Sequence, residues 1–577
     1  MGLCALLSAV LVSVASVRAA GPAAVRFDEL LAVEVGNGTI SREVAAAYAY
    51  YARFDREMLP QRYVGAEASP LRCATDVVRS AKAALGGLPA EERTRLENSM
   101  DRATPCGQLA SYPYSITSAI RPITVHYAQA GDAAEAANTL AYAEQSWQLQ
   151  VEEMGFDPPL SDNGACGNDA NFDIFLEHGL GYAYVQDIAD NPATSWDDYA
   201  CFMVIDPDTW GGIWLKSTVA HEFNHALQAA NDWWELGASF EASSTLMEDV
   251  VDDPLDYYFD VLADFNRRSH RPFEYNNDSF TYFVYGGVMQ MLFYRDRYFG
   301  GDASFLADFW YQCRSTARGG YTQPQLNEPD LNDAFETILQ QQAGVTHRDA
   351  VVEFSRWRWF VGSHDDGQHF EEGGLWPDGA QVRIWRQAEA ANLPVTLTVT
   401  DGPLSHGVQY LRLATNGAES GLLCATFTGV TDVDWHVESM RRGPQVADAW
   451  FFELDDDGTF DVELGGTDEV IFKVLNLADA SYDPDYLSSA SSSYALELAI
   501  DGQCATSAPA DADYDDDGQV DLSDYVLFSS CLSGPADAPG FVAPDQRCRN
   551  AFDFERDGDV DVADFGGLQE RFDLPSE

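Results

Sequence analysis

The chain has 577 residues, and 93 acidic residues against 34 Lys and Arg give a formal net charge of −59. This length corresponds to about three to five domains. An apolar fraction of 46% with 12% aromatic residues excludes a wholly disordered acidic chain. The charge excludes nucleic-acid binding through a basic surface and disfavours adsorption to anionic lipid.

The first residues are typical of a signal peptide. A short apolar run ends in small residues, with Val17 and Ala19 at the −3 and −1 positions of a signal-peptidase cleavage site. No later stretch reaches the roughly 20 uninterrupted apolar residues of a membrane helix. We therefore expect residues 1–20 to be removed and the rest to be exported from a bacterial cell, secreted or held at its surface, with no membrane span.

The cysteine content favours an oxidising, exported setting. Loss of Cys4 with the signal peptide leaves nine of the ten cysteines. Proximity along the chain predicts disulfides between Cys73 and Cys106, Cys166 and Cys201, Cys424 and Cys504, and Cys531 and Cys548, although spacing alone does not fix connectivity. Cys313 is then a buried free thiol. No CxxC motif occurs, which disfavours a zinc site built from thiolates.

Composition and periodicity predict a multidomain α+β chain. Residues 21–117 form a helical region, either a prodomain or a helical cap, with helices over 41–53 and 89–102. Residues 118–390 mix strands and helices, with strands at 123–127, 172–176 and 201–205 and helices at 132–154 and 214–230. Alternating runs at 393–400, 470–475 and 494–500 predict a β-sandwich over 391–504. A linker at 505–512 precedes an acidic module at 513–577.

The central chemical motif is an HExxH sequence formed by His221, Glu222 and His225. On a helix, positions i and i+4 share one face, so both imidazoles can bind one cation. Glu222 then lies beside the metal, placed to take a proton from water. The uncharged flanks, 218–220 and 226–227, favour a buried metal helix, since a surface helix would carry Lys or Arg here. The alternative is a helix with two core histidines.

A catalytic zinc site needs three protein ligands and one open position. Gln228 and Asn231 exclude a third histidine at the metzincin spacing, so we expect a glutamate on a following helix. Glu241 is favoured because it lies sixteen residues beyond the motif, which leaves room for a loop and a helical turn. Glu235 is too close to turn back. Glu248 is an alternative ligand, but it better suits a hydrogen bond that orients a zinc-bound histidine.

Two acidic loops near the C-terminus have the spacing of calcium-binding loops, with Gly518 and Gly558 at the sixth position. The alternative, a merely solvated acidic tail, would not repeat this spacing. The predicted ligands of two structural Ca²⁺ ions are Asp513, Asp515, Asp517, the Gln519 carbonyl, Asp521 and Asp524 in the first loop, and Asp553, Glu555, Asp557, Asp559, Asp561 and Asp564 in the second.

Segments 219–228, 240–249 and 252–253, together with the strand segments 123–127 and 172–176, resemble a family of exported bacterial metalloproteases of the gluzincin type. The resemblance covers residues 118–310 and, more loosely, the chain to about residue 500. It implies a zincin-like α+β catalytic domain over 118–390, with one catalytic Zn²⁺ held by His221, His225 and Glu241. It also implies hydrolysis of peptide bonds with Glu222 as general base. The negatively charged oxygen of the tetrahedral intermediate needs a further hydrogen-bond donor. Tyr285 is the candidate, and Tyr282 and His270 are alternatives. Each of the three is also compatible with ordinary aromatic packing.

Asp at the twelfth position of both acidic loops, with one helix after each, resembles a type I dockerin. The insert between Cys531 and Cys548 resembles the dockerin-like modules of planctomycete exported proteins. This resemblance implies a small α-helical, EF-hand-like module and a cohesin-like protein partner. The pairs at 522–523 and 562–563 differ from the Ser-Thr pairs of cellulosomal dockerins, so a cellulosome is not implied.

The sequence therefore predicts an exported zinc-dependent endopeptidase that acts on protein or peptide substrates and carries a calcium-binding module for assembly or attachment. The intact zinc motif favours this prediction over a non-catalytic extracellular assembly or adhesion protein. Dockerin association alone supports a third alternative, a component of a polysaccharide-degrading system.

Overall fold

The computed structural model describes residues 27–66, 68, 71–252, 257–275, 283–315, 328–415, 422–431, 433–443, 451–453, 459–478, 482–484, 492–500, 512, 514, 520, 522–534, 544, 548, 551–554 and 559–571. The predicted signal peptide at 1–20 lies outside these residues, as does the predicted linker except Ala512. The described residues form a multidomain α+β structure in two compact units. One contains Met1–Pro70 and Ala84–Ala103, and the other contains Leu71–Ala83 and Thr104–Glu577.

The helices are α1 Phe27–Gly36, α2 Arg42–Phe54, α3 Thr75–Ala84, α4 Ala90–Ala103, α5 Ala133–Ser146, α6 Pro207–Trp210, α7 Leu215–Ala229, α8 Gly237–Asp252, α9 Phe259–Asn266, α10 Phe283–Gly286, α11 Val288–Tyr298, α12 Phe305–Gln312, α13 Leu331–Gln342, α14 His347–Trp357, α15 Leu522–Cys531 and α16 Phe565–Arg571. The strands are β1 Tyr114–Thr117, β2 Ile123–Tyr127, β3 Phe172–Leu176, β4 Tyr184–Asp190, β5 Tyr199–Ile205, β6 Ile384–Glu389, β7 Val395–Val399, β8 Val408–Ala414, β9 Leu422–Gly429, β10 Trp435–Arg442, β11 Phe452–Glu453, β12 Thr459–Glu463, β13 Glu469–Asn476 and β14 Tyr494–Ile500.

The smaller unit is helical, as predicted for the N-terminal region, and contains α1, α2 and α4. Helix α2 begins after Ser41, whose hydroxyl accepts a hydrogen bond from the backbone N–H of Val44 and so satisfies a donor that the first turn leaves unpaired. Tyr50 and Phe54 stack with ring centroids 4.5 Å apart. The predicted helical region 21–117 divides between the two units, because Leu71–Ala83 belongs to the larger one.

A five-stranded sheet organises the first part of the larger unit, in the order β1-β2-β3-β5-β4. Strands β2, β3 and β5 are parallel, whereas the edge strands β1 and β4 pair antiparallel with their neighbours. Helix α7 packs against β5, α5 and α8. Every side chain of α7 except Lys216 is buried, as the uncharged residues that flank the HExxH motif predict.

Two further sheets enclose a second core. One has the order β11-β10-β13-β8-β6 and the other β12-β9-β14-β7. Leu411 and Phe472 from the first sheet share a core with Leu397, Leu423 and Leu496 from the second. Inward-facing apolar residues of both sheets therefore form one hydrophobic layer.

Two of the predicted disulfides are wrong. The chain joins Cys106 to Cys166 and leaves Cys73 and Cys201 as buried free thiols. Cys73 and Cys201 are both buried in the hydrophobic core of the larger unit, whereas the fold brings Cys106 and Cys166 together, with Cα atoms 4.7 Å apart.

The disulfide between Cys531 and Cys548 is confirmed, as is the free, buried thiol of Cys313. Cys424 is disulfide-bonded, and Cys504 lies outside the described residues. Within the part of the chain that the structure describes, no helix combines the length and hydropathy of a membrane span.

Candidate metal centre

Three predicted zinc ligands meet in the larger unit. His221 and His225 lie one turn apart on α7, with ring centroids 4.8 Å apart. Helix α8 places Glu241 beside them, with Oε2 3.3 Å from His221 Nε2 and 3.8 Å from His225 Nε2. None of the three side chains is more than 3% exposed. The structure therefore brings together two imidazoles and a carboxylate from different helices.

Buried acceptors orient both imidazoles. His221 Nδ1 lies 2.8 Å from Glu248 Oε1, and His225 Nδ1 lies 2.8 Å from Gln228 Oε1 and 3.2 Å from the Ser244 hydroxyl. Since carboxylate and amide oxygens only accept hydrogen bonds, Nδ1 of each ring carries the proton. Both Nε2 lone pairs are then available to one cation. Glu248 thus has the orienting position that the sequence predicts.

A fourth candidate ligand, the Cys73 thiol, faces the same point. Cys73 Sγ lies 3.3 Å from His225 Nε2, and the ligand atoms of Cys73, His221, His225 and Glu241 all lie within 4.8 Å of one another. A tetrahedral zinc ion with bonds of about 2.0–2.3 Å would space its ligand atoms by about 3.3–3.8 Å. Three of the distances among these atoms, 3.3 Å from His221 to Glu241, 3.8 Å from His225 to Glu241 and 3.3 Å from Cys73 to His225, match this spacing.

Unsatisfied polar atoms indicate that these residues fit a zinc ion. His221 Nε2 and both carboxylate oxygens of Glu241 are buried and make no aligned hydrogen bond. Such atoms cost free energy unless a cation or donor compensates them. Two imidazole nitrogens, a carboxylate and a thiol are also donors that Zn²⁺ prefers. Their number and chemistry therefore fit a zinc ion.

Glu222 is buried next to this cluster. It is 1% exposed, and its Oε2 accepts a hydrogen bond of 3.4 Å from the Thr75 hydroxyl. Burial raises the pKa of the Glu222 carboxyl to about 8, opposed by the His221 imidazole and reinforced by the Glu241 carboxylate. A carboxyl with a pKa near neutrality is suited to proton transfer.

Tyr285 also lies at the cluster, with its ring centroid 6.2 Å from that of His221. Its hydroxyl donates to the Cys73 carbonyl at 3.1 Å and accepts from the Cys73 N–H at 3.4 Å. Gly286 permits this placement, because a Cβ there would lie 2.5 Å from Phe265 Cβ. Burial raises the pKa of Tyr285 well above its usual value, so the phenol stays a donor.

The alternative oxyanion donors are not placed at the cluster. The His270 ring packs against Trp385, with centroids 4.7 Å apart, and burial lowers its pKa to about 4. Tyr282 lies outside the described residues. Among the three candidates, Tyr285 alone is shown beside the zinc motif.

Sequence reasoning missed Cys73, Thr75 and the acceptor role of Gln228. Because the exported chain has an odd number of cysteines, nine, at least one thiol must stay free within one chain. The odd number does not show which cysteine this is. Cys73 is 152 residues from the histidine that it contacts. Only the tertiary fold joins them.

We expect Glu248→Gln to weaken zinc affinity by about 10- to 100-fold, because an amide holds His221 less firmly and no longer makes it more basic. The affinity can be measured by competition with a chelating dye. Asp249→Asn is the matched control, since Asp249 pairs with Arg295 instead. Equal affinities for both variants would contradict an orienting role for Glu248.

The C-terminal loops are described in part. Asp559, Asp561 and Asp564 bring three carboxylates within 4.8 Å. The Phe554 N–H donates to Asp564 Oδ1 at 2.7 Å, and the Tyr514 N–H donates to Asp524 Oδ1 at the same distance. The second and twelfth loop positions are thus joined identically in both repeats.

Of the predicted calcium ligands, Asp524, Asp553, Asp559, Asp561 and Asp564 lie within the described residues. Asp524, Asp559 and Asp564 are fully buried. The other predicted ligands lie outside the described residues: Asp513, Asp515, Asp517, Gln519, Asp521, Glu555 and Asp557.

Comparisons with known proteins give little. No protein-family model and no curated protein matches the sequence. Among solved structures, this chain is similar to PliG of Aeromonas hydrophila, a periplasmic inhibitor of g-type lysozyme, at 13% identity and a TM-score of 0.14. The match covers 20% of this chain and 96% of that chain. Such a low TM-score carries no argument about fold or function.

Proposed function

We propose that this protein is an exported zinc-dependent endopeptidase with a zincin-like catalytic domain. The observation that carries the proposal is the convergence of His221, His225 and Glu241, with Glu222 buried beside them and unsatisfied atoms aimed at one point. Glu248 and Gln228 fix the imidazole orientations. A helix with two ordinary core histidines would not need a buried carboxylate from a second helix between them.

Zinc bound here would act as a Lewis acid on the peptide carbonyl and lower the pKa of water. Glu222 takes the proton from the attacking water and returns it to the leaving amine. Tyr285 has the hydroxyl that would donate to the developing oxyanion, once it is no longer bonded to the Cys73 backbone. Edge strand β4 offers main-chain groups that can pair with an extended peptide.

We also propose that the remaining regions serve structure and attachment. The two facing sheets form a β-sandwich, and the C-terminal repeats form a dockerin-like module that binds two structural Ca²⁺ ions. Support comes from the equivalent hydrogen bonds to Asp524 and Asp564 and from the clustered carboxylates of the second loop. The partner of this dockerin-like module would be a cohesin-like protein.

Metal analysis combined with proteolysis tests the catalytic proposal. We expect one zinc per chain and hydrolysis of an unfolded protein substrate that a chelator abolishes and added zinc restores. The assay is run on the intact chain and after limited cleavage with a serine protease that is then inhibited. A chain that binds no zinc, or whose hydrolysis survives chelation in both states, would refute the proposal and favour a non-catalytic assembly protein.

A further inference from the structure

The candidate zinc site is closed to substrate. Cys73, His221, Glu222, His225 and Glu241 are all 3% exposed or less. A catalytic zinc site must leave one position open for water and substrate. Here the segment Leu71–Ala83 places the Cys73 thiol within 4.8 Å of the ligand atoms of His221, His225 and Glu241.

This segment pairs with the sheet as an extended peptide would. Cys73 forms an isolated parallel β-bridge with Ala183, immediately before β4. The Ala74 N–H donates to the Ala183 carbonyl at 2.8 Å, and the Ala183 N–H donates to the Arg72 carbonyl at 3.0 Å. The Val185 N–H then donates to the Thr75 hydroxyl at 2.8 Å. Main-chain groups at the free edge of the sheet are therefore already used.

Two arginines anchor the segment on either side of Cys73. The Arg72 guanidinium pairs with Glu248, the same carboxylate that holds His221. The Arg79 guanidinium donates to the Trp233 carbonyl at 2.8 Å and lies 3.6 Å from the Phe240 ring centroid. Both anchors lie within the larger unit, so the thiol is held in place.

Further contacts prepare the thiol as a ligand and occupy the catalytic groups. The Thr75 N–H donates to Cys73 Sγ at 3.3 Å, which stabilises negative charge on sulfur. The Cys73 backbone also binds the Tyr285 hydroxyl. One short segment thus contacts a predicted zinc-binding histidine, His225, the proposed general base, Glu222, and the proposed oxyanion donor, Tyr285.

We propose that Cys73 is the fourth zinc ligand and that residues 71–75 hold the peptidase in a latent state until they are displaced. This inference rests on the proposed zinc-peptidase function. On release, the zinc–sulfur bond breaks, water takes the vacated coordination position, and the thiolate gains a proton from solvent. The same displacement frees the edge of β4 for substrate.

Cobalt substitution of the full-length protein tests the inference. Wild type loaded with Co²⁺ should show sulfur-to-cobalt charge-transfer absorption in the near ultraviolet. Cys73→Ala should keep one Co²⁺ per chain and lose this absorption. With zinc, it should hydrolyse an unfolded protein substrate at least about tenfold faster than wild type, since only the released fraction of wild type is competent.

Cys313→Ala is the matched control, because it removes another fully buried free thiol and should behave as wild type. Cys73→Ser is a second variant for the case that Cys73→Ala does not fold. Wild type that binds cobalt without the charge-transfer absorption would overturn the inference and leave the zinc site intact. Absorption without faster hydrolysis by either Cys73 variant would make Cys73 a structural ligand and overturn latency. A folded wild type that binds no metal would refute the peptidase function itself.

Discussion

Glu222→Gln should lower the rate of peptide-bond hydrolysis by about 10²- to 10⁴-fold, the usual contribution of a general base, and leave one zinc per chain bound. Glutamine has nearly the same shape and can still accept from Thr75, but it cannot take a proton from water. The rate is measured on an unfolded protein substrate, in the intact chain and in a Cys73→Ala background, where we expect the site to be open. Metal content is determined in parallel.

Glu177→Gln is the matched control for this prediction. Glu177 is also a carboxyl whose pKa burial raises, but it accepts from the Tyr112 hydroxyl outside the zinc cluster. We expect its hydrolysis rate to match that of the parent chain. If Glu222→Gln retained full activity with zinc bound, Glu222 would not be the general base and the proposed mechanism would be wrong.

Strands with short apolar runs bounded by turn residues were predictable. The predicted strands 123–127, 172–176 and 494–500 coincide with β2, β3 and β14, because buried strands leave a clear local pattern. Strand β4 was not predicted, since Gln186 and Asp187 interrupt its apolar run. Asp187 is tolerated because its carboxylate lies 2.7 Å from the Lys82 ammonium, a partner distant in sequence.

The residues of the candidate site that lie on α7 and α8 could be predicted from helix geometry and chain length. The i, i+4 spacing places His221 and His225 on one face, and the chain length needed for a return helix favours Glu241. Cys73 was not accessible by this reasoning, because its contact with His225 depends on the β-bridge to Ala183. The same long-range packing explains why spacing gave wrong disulfides.

The buried charge cluster around Glu438 could not be predicted from sequence either. Glu438 and Lys473 are fully buried on neighbouring strands β10 and β13, with Lys473 Nζ 2.6 Å from Glu438 Oε2. Arg356 from α14 and His436 also donate to Glu438, at 2.6 and 2.7 Å. These cations hold the pKa of Glu438 well below its usual value against the effect of burial.

Glu438→Gln should lower the free energy of unfolding by about 3–5 kcal/mol at neutral pH, because it leaves the buried Lys473 ammonium without its carboxylate. Urea denaturation followed by circular dichroism gives the difference. Because folding lowers the pKa of Glu438, the extra stability of wild type over the variant is fully present above the pKa of a glutamate in the unfolded chain, about 4.3. It should be lost only as the pH falls below that value through the folded pKa of Glu438.

Glu469→Gln is the control that distinguishes the effect of burying the charged partners from the effect of losing an ion pair. Glu469 lies on the same strand as Lys473 and also pairs with two cations, Arg412 and Arg442. Its side chain is 17% exposed and those of the arginines are 37% and 29% exposed. Solvent can replace the lost carboxylate there, so we expect a cost below about 1 kcal/mol. Equal losses for both variants would mean that burial of Lys473 does not determine the cost of removing Glu438.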